Sequence, residues 1–501
     1  MVEIAGLTDV ERRFDHWRGR FGMFVAPCLF VTILLLPFPA LRPEAHRLAA
    51  IMATVALLWI TEAIPIPVTA LIGATLCVVL RVASAKDVFA PFADPLMFLF
   101  IGSFMIARAI FLHRLDRRVA FGVLSLGWVG ARPGRMLFAF GAVTCFMSAW
   151  IPNTPVTAMM FPIALSIIAF LVENRGNEET VISRQYATGL MLMTSFGASV
   201  GGLATPVGTA PNLIGLGYIR KELGIEIPFF KWTLIGVPIV IVLFLYLFFY
   251  LAYLCPAGVR EIRGIREMLA REQRALGPWT RGQVSTAFAF LLTVVLWVVP
   301  GIVGVVTGDH SKQYLFINSV MPESVAAMSG AILLFLLPGE RGKRALTWEE
   351  AVKIDWGVVL LFGGGVALGV LASHTGLAAA IGHGLTTWLP LESSFDLLLA
   401  STVIAALVSE GTSNTASANI VIPIVIAVAK ASDMDPLEPA LGATLGCSLG
   451  FMLPVSTPCN AIVYGSGFVP LGRMMRYGVL LDIAGVVVIV TLIRVLLPLV
   501  R

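Results

Sequence analysis

Long apolar runs dominate this sequence. Between Phe21 and Leu499 they recur at about 17 to 25 residues, and a helix of that length crosses about 30 Å of hydrocarbon. The composition agrees, since 58% of the 501 residues are apolar, only 13% are charged, and the mean hydropathy is +0.89. Soluble domains carry about 25% charged residues. The chain is therefore predicted to be an all-α polytopic membrane protein embedded in the lipid bilayer.

The apolar runs predict about eleven transmembrane helices and two longer, interrupted blocks. The blocks 136–172 and 391–429 are each broken by a polar turn, at 152–155 and 411–415. Half of such a block is short for a full crossing, which favours a re-entrant helical hairpin. The predicted spans lie near 21–41, 48–63, 67–83, 95–112, 187–218, 232–255, 281–302, 324–338, 355–373, 438–468 and 476–499.

The placement of basic residues predicts the orientation. Lys and Arg near span ends collect on the cytoplasmic side, and they do so here if the amino terminus is cytoplasmic and the first block is re-entrant. If that block crossed the bilayer, the excess would vanish. We expect a multi-pass protein of the cytoplasmic membrane with its carboxy terminus outside. No small-residue cleavage site follows the leader 1–20, so the first run is predicted to be a retained helix.

One hydrophilic segment, Val259–Gly277, alternates apolar residues with an arginine-rich face. An amphipathic helix lying on the cytoplasmic leaflet is the favoured interpretation, and a solvated connector is the alternative.

The chain contains an internal repeat. The segments 96–107, 148–164 and 201–217 recur in order as 358–369, 409–425 and 450–467. The first set begins with a span running inward and the second with one running outward, so the repeats are inverted. Inverted repeats with broken helices at matching positions indicate a secondary transporter whose site lies near the membrane midplane.

Small polar side chains mark the breaks. The tips supply Asn153 and Thr154 in one block and Ser413, Asn414 and Thr415 in the other, and the partner spans supply Thr205-Pro206 and Thr457-Pro458. A broken helix offers free N–H groups to an anion and freed carbonyls to a cation. Such residues alone can simply join or kink helices. Four motifs in two matched pairs instead predict a binding site.

Charge is almost absent around these motifs. The segments 136–172, 185–219, 397–429 and 439–472 contain no Lys or Arg, and their one acidic residue is Glu410. Burying a dianion without compensation is prohibitive, so sodium ions are predicted as counter-charge and coupling ions, with no organic cofactor. Glu410 is either a proton-coupling group or an acceptor of backbone N–H bonds. Asp355 and Asp482 are predicted to be boundary or capping residues.

These motifs resemble the divalent anion/sodium symporter family, which includes sodium-coupled dicarboxylate and citrate transporters. The similarity rests on WITEAIPIPVTAL at Trp59–Leu71, the tips WIPNTPVTAMMFP and TSNTASANIVIP, and the run Cys447–Val463. It extends over nearly the whole chain from about Phe21. The resemblance implies a small divalent anion as substrate, a homodimer, and a transport domain that carries both hairpins and moves as an elevator against a scaffold.

The resemblance also implies individual site residues. One sodium site corresponds to Ser148, Asn153 and Ala204, and the other to Ser409, Ser413, Asn414 and Ser456. The predicted substrate residues are Asn153, Thr154, Thr205, Pro206, Ser413, Asn414, Thr415, Thr457 and Pro458. One position departs from the family pattern, because Pro152 stands where the first tip of the family has serine. The first sodium site is therefore predicted to be weaker than the second or to use changed ligands.

The repeat and the resemblance together divide the chain. The predicted parts are the leader 1–20, first scaffold helices and the start of repeat 1 at 21–135, a hairpin and broken helix at 136–218, connecting and scaffold helices at 219–354, repeat 2 at 355–468, and a last transmembrane helix at 469–501.

The predicted function is sodium-coupled symport of a four-carbon dicarboxylate such as succinate, malate or fumarate. A sodium-independent dicarboxylate exchanger and a sulfate symporter are the alternatives within transport. An intramembrane enzyme would need a nucleophile–base pair or a metal-ligand cluster, and the sequence shows neither, so no enzyme is predicted. Inverted repeats favour a carrier over a channel. The net charge of +5 does not indicate nucleic acid, and the six scattered cysteines are predicted to be packing residues.

Overall fold

The computed structural model describes residues 9–173, 184–262, 264–308, 311–386 and 393–499. The first eight residues of the predicted leader and the last two residues of the chain lie outside these ranges. Apart from one isolated bridge between Pro338 and Arg344, the regular structure in the described ranges is helical, which confirms the all-α prediction.

The helices follow in chain order. In the first half they are α1 (Asp9–Leu35), α2 (Pro43–Thr61), α3 (Ile66–Val79), α4 (Ala85–Phe89), α5 (Pro95–Leu112), α6 (Leu115–Leu124), α7 (Pro133–Ser148), α8 (Asn153–Glu173), α9 (Arg184–Gly201), α10 (Ala210–Tyr218) and α11 (Phe229–Leu254). In the second half they are α12 (Ile265–Ala275), α13 (Arg281–Thr307), α14 (Lys312–Val320), α15 (Glu323–Leu336), α16 (Trp348–Ala351), α17 (Trp356–Thr375), α18 (Leu377–Thr386), α19 (Ser394–Gly411), α20 (Asn414–Ala431), α21 (Leu437–Gly446), α22 (Pro458–Tyr464) and α23 (Leu471–Leu496).

Within the described ranges, eleven helices are long and apolar enough to cross a membrane. The number of such helices matches the number of predicted spans, but the two sets do not contain the same segments. Helices α8, α19 and α20 belong to the predicted hairpins and are nevertheless long enough. Three predicted spans are not among the eleven: 67–83 and 324–338 are the shorter α3 and α15, and 438–468 is divided into the short helices α21 and α22. A bend of 47° separates α15 from α14, so these two helices can form one broken span. Length alone therefore does not distinguish a hairpin helix from a span.

The two halves of the chain contain matching helices around matching breaks. The first hairpin, α7 and α8, packs on α9, and the second, α19 and α20, packs on α21. Each hairpin carries a proline nine residues after the asparagine that begins its second helix, at Pro162 and Pro423. A helix–break–helix follows each hairpin, α9 to α10 and α21 to α22.

Helix α9 lies at the centre of the first half. Every residue from Tyr186 to Gly201 is buried, and the helix packs against both helices of the first hairpin, α11 and α22. Glycine permits the closest of these contacts, because a β-carbon on Gly201 would overlap the backbone of Cys145 in α7. The tip end of α7 is thus fixed against a helix that is buried from Tyr186 onward.

The outer helices present apolar side chains outward. Helix α13 exposes Phe288, Leu291, Val295, Val299 and Ile302, which recur every three or four residues along one face. Such a stripe would be an aggregation site in water and suits hydrocarbon. Five of the six cysteines are buried and all six are free, in agreement with a packing role.

Close packing of α5 on α15 can be tested at Gly102. A β-carbon there would lie 2.6 Å from the carbonyl carbon and 2.8 Å from the β-carbon of Ala327. We expect Gly102→Ala to separate the two helices and to lower the free energy of unfolding by about 1–3 kcal/mol, the usual cost of overpacking. Thermal unfolding of the purified protein in detergent measures this loss.

The matched control is Gly122→Ala in α6, where a β-carbon would meet no atom within 4 Å. Alanine is the better helix former, so this variant should be as stable as the parent or slightly more stable. Equal losses in both variants would contradict the close contact at Gly102.

Candidate substrate and ion site

A cleft of about 810 Å³ brings the two hairpin tips together. Its wall contains 152–155 from the first tip, 413–415 from the second, and 456–458 from the loop before α22. Helices α8, α20 and α22 all begin at this wall, so their free N–H groups and positive dipole ends converge on it. The arrangement suits a small anion with more than one carboxylate.

Behind the first tip, oxygen atoms gather around Asn153. Its side-chain amide lies 2.8 Å from Ser148 Oγ, 3.2 Å from the Ala198 carbonyl and 3.3 Å from the Gly208 carbonyl. With its nitrogen toward them, the amide donates hydrogen bonds. With the amide oxygen toward them, that oxygen and the three oxygens of Ser148, Ala198 and Gly208 form a shell for a hard cation, which is the chemistry that sodium requires.

The second tip repeats this geometry. Ser409 Oγ lies 2.8 Å from Asn414 Oδ1 and 2.7 Å from the carbonyl oxygen of Cys447. Gly450 stands close to both side chains, because a β-carbon there would be 3.3 Å from Ser409 Oγ and 3.4 Å from Asn414 Oδ1. The serine–asparagine pair therefore recurs with the same spacing of five residues and the same distance, and it too offers oxygens that fit sodium.

Two buried asparagines shape the loops that face the tips. Asn212 Nδ2 donates to the carbonyls of Gly202 and Thr205 at 3.0 and 2.8 Å. Asn460 Nδ2 donates to the carbonyls of Gly450 and Leu453, both at 3.0 Å. Each amide thus ties the start of a short helix to the carbonyls ten and seven residues before it. This identity of bonding fixes the register between the two repeats.

The alignment of the two repeats by these asparagines places different residues in the cleft from those that the Thr-Pro motifs predicted. Thr457 aligns with Thr209, because each lies three residues before the asparagine of its own loop, Asn460 or Asn212. Both threonines line the cleft. Thr205 and Pro206 do not line it, and Thr205 Oγ1 instead donates to the carbonyl of Ala149. Thr209 was missed because it lacks a directly following proline. The signal was present in the asparagine at the third position after it.

A similar shift applies to the first sodium site. The carbonyls of Leu203 and Ala204 face Gly236 of α11, whereas Gly202 adjoins the amide of Asn153. The structure therefore brings Gly202, rather than Ala204, to the oxygen cluster. The second repeat places Gly450 in the equivalent position beside Asn414.

Glu410 is an acceptor of backbone N–H bonds in this structure. Its carboxylate accepts from the N–H groups of Phe451, Met452 and Leu453 at 2.6, 2.8 and 3.3 Å. Ser456 Oγ also donates to it at 2.5 Å, so Ser456 is held by Glu410. The carboxylate is buried without Lys or Arg, and the loop between α21 and α22 depends on it.

The two aspartates predicted as boundary residues differ from one another. Asp355 caps α17 as expected, because its side chain accepts from the N–H of Val358 at 3.2 Å. Asp482 is not a boundary residue, since it lies within α23, is 9% exposed and interacts electrostatically with Glu410. The prediction failed because Asp482 faces the packing of α23 against α19, and no local pattern reveals which helices pack together.

The first tip has proline at both positions, Pro152 and Pro155, that form a capping bond at the second tip. At the second tip, Ser413 caps α20 by accepting the N–H of Ala416, three residues later, at 3.2 Å. At the first tip the corresponding residues are Pro152 and Pro155, so the hydroxyl acceptor and the N–H donor are both missing. Compared with the second tip, the first therefore has no unsatisfied N–H donor but one hydroxyl oxygen fewer.

The cleft opens toward one face of the protein, called the arginine-rich face below, which carries Arg114, Arg117, Arg118, Arg132 and Arg135. Arg108, Arg114, Arg117 and Lys353 line its outer part. Glu350 neutralises part of this charge, because it lies 2.6 Å from Lys353 Nζ and 2.5 Å from Arg108 Nη2. The hydrogen bonds from Lys353 and Arg108 hold the pKa of Glu350 below its ordinary value. A mouth with excess positive charge attracts anions.

Ion pairs join the elements at the other end of α5. Asp94 pairs with Arg220 and with Lys221, the latter at 3.1 Å. Glu222 pairs with Lys430 at 3.2 Å and accepts a hydrogen bond from Ser373 at 2.6 Å. The cleft is thus open at one face while charged side chains connect the helices at the opposite face.

Asp116 in α6 also lines the mouth of the cleft. It is buried, one of its oxygens has no hydrogen-bond partner in the described ranges, and burial raises the pKa of its carboxyl to about 6. Arg117 and Arg114 offset only part of that effect. Because the pKa is higher in the folded protein than in the unfolded chain, the free energy of unfolding falls as the pH rises from about 4 to about 6.

Replacement of Asp116 with asparagine should remove this cost. We expect Asp116→Asn to raise the free energy of unfolding by roughly 1–3 kcal/mol at pH 7.5 and by less at pH 5, where the folded carboxyl is mostly protonated. Thermal unfolding in detergent at the two pH values measures the difference. Asp355→Asn, at an exposed capping residue of the same mouth, is the control and should not stabilise the protein, because the carboxylate is in contact with solvent and accepts the N–H of Val358. A gain of the same size at both pH values would contradict the raised pKa.

Known proteins provide an independent comparison. The family model of the sodium:sulfate symporter transmembrane region matches residues 18–500. The sodium-dependent dicarboxylate transporter SdcS of Staphylococcus saprophyticus is 33% identical, over 95% of this chain and 91% of its own length. The SdcS protein of Staphylococcus aureus strain bovine RF122 is 31% identical, over 96% of this chain and 91% of its own.

Two solved structures are similar in architecture. The YdaH transporter of Alcanivorax borkumensis has a TM-score of 0.54 at 12% identity and covers 97% of this chain and 98% of its own. MtrF of Neisseria gonorrhoeae has a TM-score of 0.56 at 13% identity and covers 94% and 97%. At such identities the likeness concerns the fold alone.

Proposed function

Because the chain belongs to the sodium:sulfate symporter family, we propose that it is a secondary active transporter that couples the movement of sodium to that of a small dicarboxylate. The proposed substrates are the four-carbon acids succinate, malate and fumarate, and the proposed location is the cytoplasmic membrane. The observation that carries the proposal is the pair of serine–asparagine contacts, 2.8 Å each, behind the two tips of one cleft. Transport, rather than catalysis, is the activity that this family and this fold support.

The two tips favour a dicarboxylate over a single compact oxyanion. Each tip presents an asparagine, a threonine and the N-terminus of a helix, at 153–154 and at 414–415. A dicarboxylate has two separated negative charges, and each carboxylate can accept hydrogen bonds from one tip. The names of the SdcS relatives also support a dicarboxylate as substrate. The name of the family includes sulfate, which is the alternative substrate.

Sodium coupling follows from the charge of the inner cleft. The segments around the tips, 136–172, 185–219, 397–429 and 439–472, contain Glu410 as their acidic residue and contain no Lys or Arg, so a bound dianion would add to an existing negative charge. Two sodium ions, one at each oxygen cluster behind a tip, would neutralise that charge. The anion would then bind well only after sodium, which is the basis of symport.

The one-sided opening supports alternating access. The cleft reaches the tips from the arginine-rich face, proposed to be cytoplasmic, and ion pairs connect the helices at the opposite face. We propose that this is the inward-open state and that both hairpins move together as an elevator within a homodimer. A carrier needs two such states, whereas a channel needs one continuous path.

Uptake of labelled succinate into proteoliposomes tests the proposal. We expect an inward sodium gradient to drive accumulation into empty vesicles and expect Asn414→Ala to reduce the initial rate at least tenfold, because it removes oxygens from both the ion and the substrate side. Ser166→Ala, an exposed residue of α8 outside the cleft, is the matched control and should keep the parent rate.

Other results would identify the alternatives. Uptake that requires preloaded succinate and ignores sodium would show an exchanger and contradict symport. Sodium-driven uptake of labelled sulfate in preference to succinate would contradict the proposed substrate class.

The first tip gives a separate test of the ion site. In Pro152→Ser the new hydroxyl would find no N–H at Pro155 to cap, so it would be available to a cation. We expect the sodium concentration for half-maximal uptake to fall about three- to tenfold. Pro152→Ala removes the ring without adding an oxygen and should leave that concentration unchanged. An equal shift in both variants would show that the ring, rather than the missing hydroxyl, matters.

A further inference from the structure

A second cleft, of about 1410 Å³, lies on the arginine-rich face and is separate from the substrate cleft. One side is the loop that leads into the first hairpin, with Trp128 and residues 132–135. The other side is the end of α11 and the segment 256–261 that follows it. The transport mechanism described above uses none of these residues.

Positive charge is concentrated on this cleft. Arg132, Arg135 and Arg260 line it, and Glu261 is its one acidic neighbour in the described part of the chain. No ion pair among the described residues involves Arg132 or Arg260, and both side chains are exposed. Three guanidinium groups around one cavity are the usual receptor for a phosphate group.

The N-terminus of α7 adds backbone donors to the same place. Arg132 is the N-cap residue of this 16-residue helix and makes no side-chain capping bond, and Pro133 occupies the first helical position. The N–H groups of Gly134 and Arg135 are therefore free of helical partners. Space is open at Gly134, where a β-carbon would meet no atom within 4 Å. Guanidinium groups and an uncapped helix terminus act on an anion together.

An aromatic wall continues from this charged end. Phe138 contacts Trp128 and Phe248 in edge-to-face geometry, with ring centroids 5.8 and 5.1 Å apart. The Trp128 side chain is 51% exposed, and α11 continues the apolar surface with the exposed Phe249. Tryptophan beside arginine is typical of the headgroup level of a bilayer. A soluble phosphate compound has no apolar chain that could pack against such a wall.

The cleft is built before any ligand arrives. Ile262 N–H donates to the carbonyl of Ala131 at 2.8 Å and joins the two sides. Arg135 Nη1 donates to the carbonyl of Trp128 at 3.0 Å, and Gly130 adopts the left-handed conformation, φ +58°, that the turn between them requires. The cleft therefore bridges the base of the first hairpin and the end of α11.

We propose that this cleft binds one anionic phospholipid. Its phosphodiester would lie against Arg132, Arg260 and the N-terminus of α7, and its acyl chains would run along Trp128, Phe138 and Phe248. Charge complementarity selects an anionic lipid over a zwitterionic one, and the aromatic wall selects a lipid over free phosphate. The site does not depend on which anion the protein transports.

Native mass spectrometry of the full chain in detergent, titrated with phosphatidylglycerol, tests the proposal. We expect one tight lipid adduct and expect the double variant Arg132→Gln/Arg260→Gln to weaken it by about 10- to 30-fold, since each arginine near a lipid surface contributes several-fold. Phosphatidylcholine and glycerol 3-phosphate are the comparison ligands and should bind at least tenfold more weakly.

The matched control is Arg271→Gln/Arg274→Gln, which removes the same charge from exposed residues of α12 outside the cleft. It should bind phosphatidylglycerol with the affinity of the parent. Equal weakening in both double variants would show a general surface charge effect and overturn the site. Equal affinity for phosphatidylglycerol and phosphatidylcholine would overturn the headgroup assignment, and tight binding of glycerol 3-phosphate would overturn the lipid.

Discussion

Two buried amides hold both helix breaks in shape, and the candidate site depends on them. A break inside an apolar protein frees carbonyls and N–H groups that water cannot reach, so each needs a protein partner or a ligand. Asn212 and Asn460 satisfy two carbonyls each, at the same two offsets. Two other carbonyls face the hairpin tips, that of Gly208 beside Asn153 and that of Cys447, which accepts from Ser409. The loops are therefore rigid where the amides bind and remain available where an ion or an anion would bind.

The repeats supply two similar half-sites, which differ in the number of oxygen atoms and in the negative charge that they offer. Serine–asparagine pairs recur at 2.8 Å in both, but Glu410 and the hydroxyl of Ser413 belong to the second half alone. The second half therefore has more oxygen and more negative charge for a cation. The first half has Pro152 in place of that hydroxyl and Pro155 in place of the N–H group that it caps. The first tip therefore has no unsatisfied N–H donor and one hydroxyl oxygen fewer than the second.

Sequence reasoning located the hairpins, their tips and the repeat, because hydropathy and polar breaks are local properties of the chain. It misplaced details that depend on register. A Thr-Pro step occurs at Thr205 and at Thr457, yet the asparagine three residues later shows that Thr209 is the counterpart of Thr457. The packing of α19, which carries Glu410, against α23, which carries Asp482, joins helices far apart in sequence, and no periodicity could reveal it. Helix length failed for a further reason, since three of the four hairpin helices, α8, α19 and α20, are long enough to cross a membrane.

The distribution of charge along the cleft connects attraction with coupling. Arginines and Lys353 surround the mouth, so a dianion is drawn in electrostatically whether or not sodium is present. The tips themselves offer hydrogen bonds but no cationic side chain, and Glu410 adds a negative charge nearby. An anion that reaches the tips alone would lose hydration without gaining a counter-charge. Attraction at the mouth is thus separated from binding at the tips, and in the proposed mechanism binding at the tips depends on sodium in the oxygen clusters behind them. A cationic side chain at the tips would bind the anion directly and would remove the need for sodium.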